Sequence, residues 1–197
     1  MIAGILLAAG TGSRFGSNKL LHPLPCGTPI AIAAARTLLG GVDHGIAVVP
    51  ETNPQLADLL RAAGMEIVYC PNAADGMGAS LACGVAATPD AQGWVIALAD
   101  MPYIQPETVG KVANLLRTGA PIAAPSYRGK RGHPVGFGRE FYNELIQLTG
   151  DRGARQLLST HASQLQLIPC KDAGIFADID QPSDLILHTA TFAASAG

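Results

Sequence analysis

Ile2-Ala3-Gly4-Ile5-Leu6-Leu7-Ala8-Ala9-Gly10-Thr11-Gly12-Ser13-Arg14-Phe15-Gly16-Ser17-Asn18-Lys19 has two unlike halves. Residues 2–9 form an unbroken apolar run, the pattern of a strand buried on both faces. The second half is a loop with glycines at 10, 12 and 16. Those glycines permit tight turns and let backbone N–H groups approach an anion. Arg14 and Lys19 add two cations of the kind a phosphate attracts. The loop is not a Walker A loop, because no G-K-[ST] follows the glycines. Its last spacing, G-x-x-x-G, also departs from the dinucleotide fingerprint. A plain strand-to-helix turn needs similar glycines, so the loop alone leaves both readings open; the cations at its far end favour a phosphate.

Outward from this loop, short apolar runs alternate with helical patterns. Ile30–Leu39, Pro54–Ala63, Ala79–Ala87 and Glu107–Leu116 read as helices. Gly45–Val49, Glu66–Cys70, Trp94–Ala99 and Pro121–Pro125 read as strands. Strand then helix, four times over, argues for an α/β fold in three layers: a mainly parallel sheet covered on both faces. Right-handed crossovers align the strand C-termini along one edge, where open α/β sheets bind ligands. Beyond Pro125 the rhythm changes. Pro134–Gly138 and Gln164–Cys170 read as strands and Arg139–Leu148 as a helix, which suggests a small antiparallel excursion at one end of the sheet. Nothing resembles a linker, so residues 1–188 are expected to form one domain and 189–197 a frayed tail.

Composition narrows the class. With 197 residues, 48% hydrophobic and 14% charged, the chain has the material for a sizeable core. The net charge of −2 and the lack of any basic run point away from nucleic acid and from an anionic membrane surface. No apolar stretch reaches the ~18 residues of a membrane span, and the N-terminal run lacks the basic start of a signal peptide. Cys26, Cys70, Cys83 and Cys170 form no C-x-x-C pair, so they read as buried free thiols of a cytoplasmic protein.

Six segments in order carry a resemblance. They are L-A-A-G-x-x-x-R-x-G-x-x-K at 7–19, Asn72–Leu81, Leu98-Ala99-Asp100-Met101-Pro102, Gly132-His133-Pro134-Val135, Gly150–Arg155 and Asp178-Ile179-Asp180-Gln181-Pro182-Ser183-Asp184-Leu185. Together they resemble the nucleotidyltransferases of the molybdenum-cofactor group, which share a GT-A-like fold with sugar-nucleotide pyrophosphorylases. Gln181 stands where that family often has Thr.

The resemblance implies a nucleotide site at Leu7, Ala8, Ala9, Gly10, Gly12, Arg14, Lys19, Gly76, Gly78 and Ser80. Catalytic roles fall to Arg14, Lys19 and Asp100. Asp100 ends an apolar strand at the ligand edge, where a carboxylate can hold Mg2+ (or Mn2+) or cap a nearby turn. Asp178 and Asp180 flank Ile179 and point the same way on an extended segment. The resemblance makes Asp180 a second metal ligand; its rival role is to cap a helix over 182–187. Ser80, at the apparent start of a helix, offers a hydroxyl and free N–H groups. His133 follows Arg128, Lys130 and Arg131, and with Arg152 it would bind the acceptor; Arg155 extends that pocket. His22, His44, His161 and His188 show no metal-ligand spacing.

The implied reaction joins a nucleoside monophosphate to an acceptor phosphate and releases pyrophosphate. L-A-A-G in place of L-A-G-G, together with G-H-P-V and D-I-D, is similar to the cytidylyl branch: CTP as donor (GTP the alternative), molybdopterin as acceptor and a molybdoenzyme as recipient of the product. Sugar-phosphate transfer, a non-catalytic cofactor chaperone and a Rossmann oxidoreductase with Glu51 at the ribose are the competing readings.

Overall fold

The computed structural model describes residues 1–10, 15, 19–151, 153–185 and 187. The first strand, β1 (Ile2–Leu7), is buried along its whole length. It pairs in parallel with β2 (His44–Val49) on one side and β4 (Gly93–Leu98) on the other. β3 (Glu66–Tyr69) extends the sheet beyond β2. With β5 (Ile122–Tyr127), β6 (Lys130–Arg131), β7 (Val135–Gly138) and β8 (Leu165–Pro169), the order is β3-β2-β1-β4-β7-β5-β6, and β8 pairs with β5.

Side chains of β1 alternate between two cores, as the period of a strand requires. Ile2 and Leu6 join helices α1 (Ile30–Leu39), α2 (Pro54–Ala62) and α4 (Pro106–Arg117). Ala3, Ile5 and Leu7 join α3 (Met77–Ala86), α5 (Tyr142–Leu145) and α6 (Arg155–Thr160). The sheet is therefore the middle of three layers, as the continuous apolar runs predict. Helix starts follow local chemistry. Asn53 Oδ1 accepts from Leu56 N at 3.2 Å, with Pro54 in the first turn of α2. Asp172, buried, accepts from Gln105 N and Thr108 Oγ1 at 2.9 and 2.7 Å and so ties the start of α4 to the last quarter of the chain.

Three expectations need correction. The antiparallel strand β7 is not at an end of the sheet: it lies between β4 and β5. It fits there because Val135 and Phe137 feed one core, while a side chain at Gly136 would strike Val112 and Leu116 of α4. Arg139–Leu148 is not one helix. A 3-10 turn over Arg139–Phe141 precedes the four-residue α5, and Arg139 turns its guanidinium onto the carbonyls of Pro89 and Ala91. Of the four thiols only Cys70 is buried, and Cys26 is exposed. The hairpin between β5 and β6 turns on Arg128 and Gly129, both at positive φ (51° and 77°), as a two-residue hairpin demands. Among the described residues, no helix is long and apolar enough to cross a membrane.

The closest approach of α3 to the sheet is at Gly84. A Cβ there would lie 2.7 Å from Ile5 Cγ2 and 2.9 Å from Val48 Cγ2. Both neighbours are β-branched and stiff at χ1. Gly84→Ala should gain about 1 kcal/mol in helix propensity and lose about 2–3 kcal/mol to overpacking. The net expectation is a destabilisation of about 1–2 kcal/mol, read as a lower urea midpoint at unchanged slope.

Candidate active site

The register of the central strands builds the site. Leu7 is paired with Val48 and with Leu98, and the pairing continues one step beyond β1 and β4. Ala8 N donates to Val48 O at 3.0 Å and Ala99 N to Leu7 O at 3.1 Å. The chain therefore leaves β1 and β4 side by side, with Gly10 and Asp100 on one edge. A cleft of about 860 Å3 opens there, lined by Leu7, Ala9, Gly10, Lys19, Gly76, Ser80 and Asp100 among others.

Ala8 and Gly78 do not line it. Ala8 is 2% exposed and packs in the core below. Gly78 is a glycine for another reason: its N–H donates to Gly150 O at 2.8 Å, and a side chain would lie 2.7 Å from Thr149 O. Gly76, at φ 118°, faces the same loop. Ser80 reaches the cleft but has no free N–H. The helix begins at Met77, and both Ser80 N and Ser80 Oγ donate to Gly76 O, at 3.3 and 3.4 Å. Gly12, Arg14 and Arg152 lie outside the described residues, as does the tail over 189–197.

At the floor of the cleft, buried Lys19 donates from Nζ to Asp100 Oδ2 at 2.9 Å and to Asp180 Oδ1 at 3.1 Å. Burial alone would lower the pKa of this ammonium; the two carboxylates outweigh it and hold the pKa above its ordinary value. Ile179 explains the meeting. It is fully buried and its N–H donates to Asp100 O at 3.0 Å, which pins the 178–180 segment against the end of β4. Asp184, from within the helix that follows, accepts at Oδ2 from the N–H groups of Asp180 and Gln181 and so fixes the turn that carries Asp180. Partial burial, with the Asp180 and Asp100 carboxylates, pushes Asp178 above the usual carboxylate range.

Two carboxylates thus meet one ammonium, Asp178 is near enough to feel all three charges, and Asp100 Oδ1 is buried without a partner. An oxygen-seeking divalent cation fits this excess of negative charge. Among the described residues no cluster of three His, Cys, Asp or Glu side chains forms a ready-made cage.

His133 sits in a second cavity of about 360 Å3, which shares Leu7, Met77, Leu98 and Asp151 with the first. Its walls are mostly apolar, including Leu81, Ile96, Val135 and Leu158, with Arg131 and Arg155 as the cations. His133 Nδ1 is buried with no partner. Burial, then the charges of Arg131 and Arg155, push its pKa down to about 4 against the pull of Asp178. Asn53 and Cys70 line the larger cleft without having been placed there by the sequence reading, whereas Glu51, Met77 and Asp151 fall at positions or in segments it had named. Asn53 follows β2 at the ligand edge, and that position was the signal available for it.

The sequence profile of the MobA-like NTP transferase domain matches residues 4–165. Nicotine blue oxidoreductase of Paenarthrobacter nicotinovorans is 31% identical over 91% of this chain and 92% of its own length. Purine catabolism protein PucB of Bacillus subtilis is 31% identical over 93% of each. Among solved structures, Rv0371c of Mycobacterium tuberculosis superposes with a TM-score of 0.80 at 28% identity, covering 94% of this chain and 95% of that one. A manganese complex of the same protein gives 0.74 at 27%, covering 94% and 96%. The match to an NTP transferase domain over residues 4–165 makes this chain an enzyme of the nucleotidyltransferase class. The chain belongs to the MobA-like NTP transferase family.

The depressed pKa of His133 makes stability pH-dependent with a definite sign. The unfolded histidine takes up its proton near pH 6.5, whereas the folded one resists down to about pH 4. Stability is full above pH 6.5 and is lost as pH falls through that window, by up to about 3 kcal/mol. In denaturant titrations at pH 7 and pH 4, His133→Gln should lose less stability over that interval than the wild-type chain.

Proposed function

We propose that this protein transfers CMP from CTP to the phosphate of molybdopterin and releases pyrophosphate. The observation that carries the reading is the Lys19 clamp on Asp100 and Asp180, set in the floor of one cleft beside a second, cationic cavity. The larger cleft suits the nucleotide, with Gly10 and the loop leading to Lys19 around its phosphates. The smaller suits the acceptor, with His133, Arg131 and Arg155, and with Arg152 next to Gly153 in sequence. The product would pass to a molybdoenzyme.

The acceptor phosphate is already an anion, so its attack on the α-phosphorus needs no general base. The new P–O bond forms as the bond to the β-phosphate breaks, and the protein contributes position and charge. Mg2+ or Mn2+ on Asp100 and Asp180 would supply the charge that neutralises the phosphates; the manganese complex of a relative supports that ion. Lys19 balances those carboxylates in the structure. Relieved of that duty, its ammonium would take up charge at the α-phosphate. Arg14 would hold the leaving pyrophosphate. The base preference rests on Ala9, which lines the cleft where the guanylyl branch carries Gly and leaves less room for a purine. A second reading, hydride transfer with Glu51 on a ribose, is favoured by one observation, that Glu51 does line the cleft. NAD(P)H oxidation in place of pyrophosphate release would select it.

Two measurements test the proposal. Asp100→Asn and Lys19→Ala should each lower turnover by a factor of about 100 or more, about 3 kcal/mol of barrier, with the fold intact by circular dichroism. Near-normal turnover of either variant at ordinary Mg2+ removes that residue from the chemistry. Pyrophosphate release with molybdopterin and Mg2+ should be faster with CTP than with GTP. Equal or faster release with GTP overturns the cytidylyl assignment and leaves nucleotidyl transfer standing.

A further inference from the structure

Cys70 and Cys83 are thirteen residues apart in the chain, and their sulfurs lie 2.8 Å apart. Cys70 stands just past β3, where its N–H donates to Val49 O at 3.1 Å. It is buried, and it forms part of the wall of the larger cleft. Cys83 lies on α3 and is partly exposed. Both thiols point at Asn72 Oδ1, Cys70 at 3.2 Å and Cys83 at 3.7 Å. Asn72 opens the segment that carries Ala73, Ala74 and Gly76 into the cleft. A bonded sulfur pair sits at about 2.05 Å, so closing this gap asks for less than about 1 Å of sulfur movement.

We propose that Cys70 and Cys83 are an oxidisable dithiol in the wall of the nucleotide cleft, whose reversible disulfide weakens nucleotide binding. The clause on binding rests on the function proposed above; the clause on disulfide formation stands without it.

The oxidant is a peroxide, and the electrons balance. The Cys83 sulfur attacks one peroxide oxygen, the O–O bond breaks, and the departing oxygen leaves as water, so that Cys83 becomes a sulfenic acid. The Cys70 sulfur then attacks the Cys83 sulfur, the S–O bond breaks, and the hydroxide takes the Cys70 proton to leave as a second water. Two electrons pass from the thiol pair to the peroxide, and a dithiol reductant reverses the change. The order follows from exposure. Burial, and then the adjacent Cys83 sulfur, push the Cys70 thiol up to about 12. Cys70 therefore waits as a protonated resolving partner while the more accessible Cys83 meets the oxidant.

The consequence for the cleft follows from the hydrogen bond that is lost. The disulfide removes the S–H donors from Asn72 Oδ1 and draws Cys70 toward α3, so the wall over 71–74 keeps its backbone bonds but loses its side-chain anchor. Loss of about one hydrogen bond corresponds to nucleotide affinity about fivefold weaker.

The test uses the full chain with Cys26→Ser and Cys170→Ser, which leaves only the two thiols in question. After hydrogen peroxide, the intact mass should fall by two hydrogens and both thiols should become unreactive to a maleimide. Dithiothreitol should restore both. Titration with CTP and with GTP in the presence of Mg2+ should give a dissociation constant about fivefold higher for the oxidised protein. Cys83→Ser in the same background should show no such peroxide-dependent change. A mass gain from added oxygen in place of the loss of two hydrogens, or a disulfide form that binds nucleotide as tightly as the reduced form, overturns the proposal. So does an equal loss of affinity in Cys83→Ser. If the reduced protein binds neither nucleotide, the function proposed above and the clause on binding fall together, while mass and thiol count still decide the disulfide.

Discussion

Everything at the working edge depends on how β1 is held. Its backbone is bonded in parallel to β2 and β4, and its side chains feed both cores. A one-residue slip would turn every one of those side chains to the wrong core, so burial on both faces fixes the register. The register in turn fixes which residues leave the sheet together. Leu7 opposite Leu98 is what brings the Gly10 loop and Asp100 to one place, although they are ninety residues apart.

The site built on that edge is governed by charge balance. Asp100, Asp178 and Asp180 are drawn together by strand ends and by buried Ile179, not by their own attraction. Burial first, and then the charges of Asp180 and Asp100, make Asp178 resist ionisation, while one buried oxygen of Asp100 is left without a partner. A buried ion pair of this kind is poor evidence for stability. On the function proposed above its value would be chemical, since the same groups would meet phosphates and a cation. The neighbouring cavity has the opposite character, apolar walls with two guanidinium groups and an uncharged histidine.

Much of the layer order was legible in the sequence, because a strand buried on both faces reads as an unbroken apolar run and an amphipathic helix does not. The run at Ile2 and the Ala/Leu-rich stretch at Ile30–Leu39 are clear in that way. The place of β7 was not legible, since strand pairing is a property of the whole sheet and Gly136 says only that something comes close. In the site, Lys19, Asp100 and Asp180 were singled out by sequence, yet their direct contact was not, because three distant segments make it. Gly78 misled for a plain reason. A glycine marks close approach without naming the visitor, and here the visitor is the Thr149–Gly150 backbone. The Cys70–Cys83 proximity was equally hidden, as a spacing of thirteen residues across a strand end and a helix has no fixed geometry.

The loop that presses on Gly76 and Gly78 also supplies Asp151, which stands in the walls of both cavities. The two cavities are therefore separated by a shared partition and are not independent compartments. On the function proposed above, whatever shifts that partition would be felt on both sides at once, and the binding of one substrate would be linked to the binding of the other by the same factor in each direction. On that reading specificity would not be modular: a change in the loop at 149–151 made for one partner would also alter the grip on the other, and the glycines at 76 and 78 limit how far that loop can move before α3 must move with it.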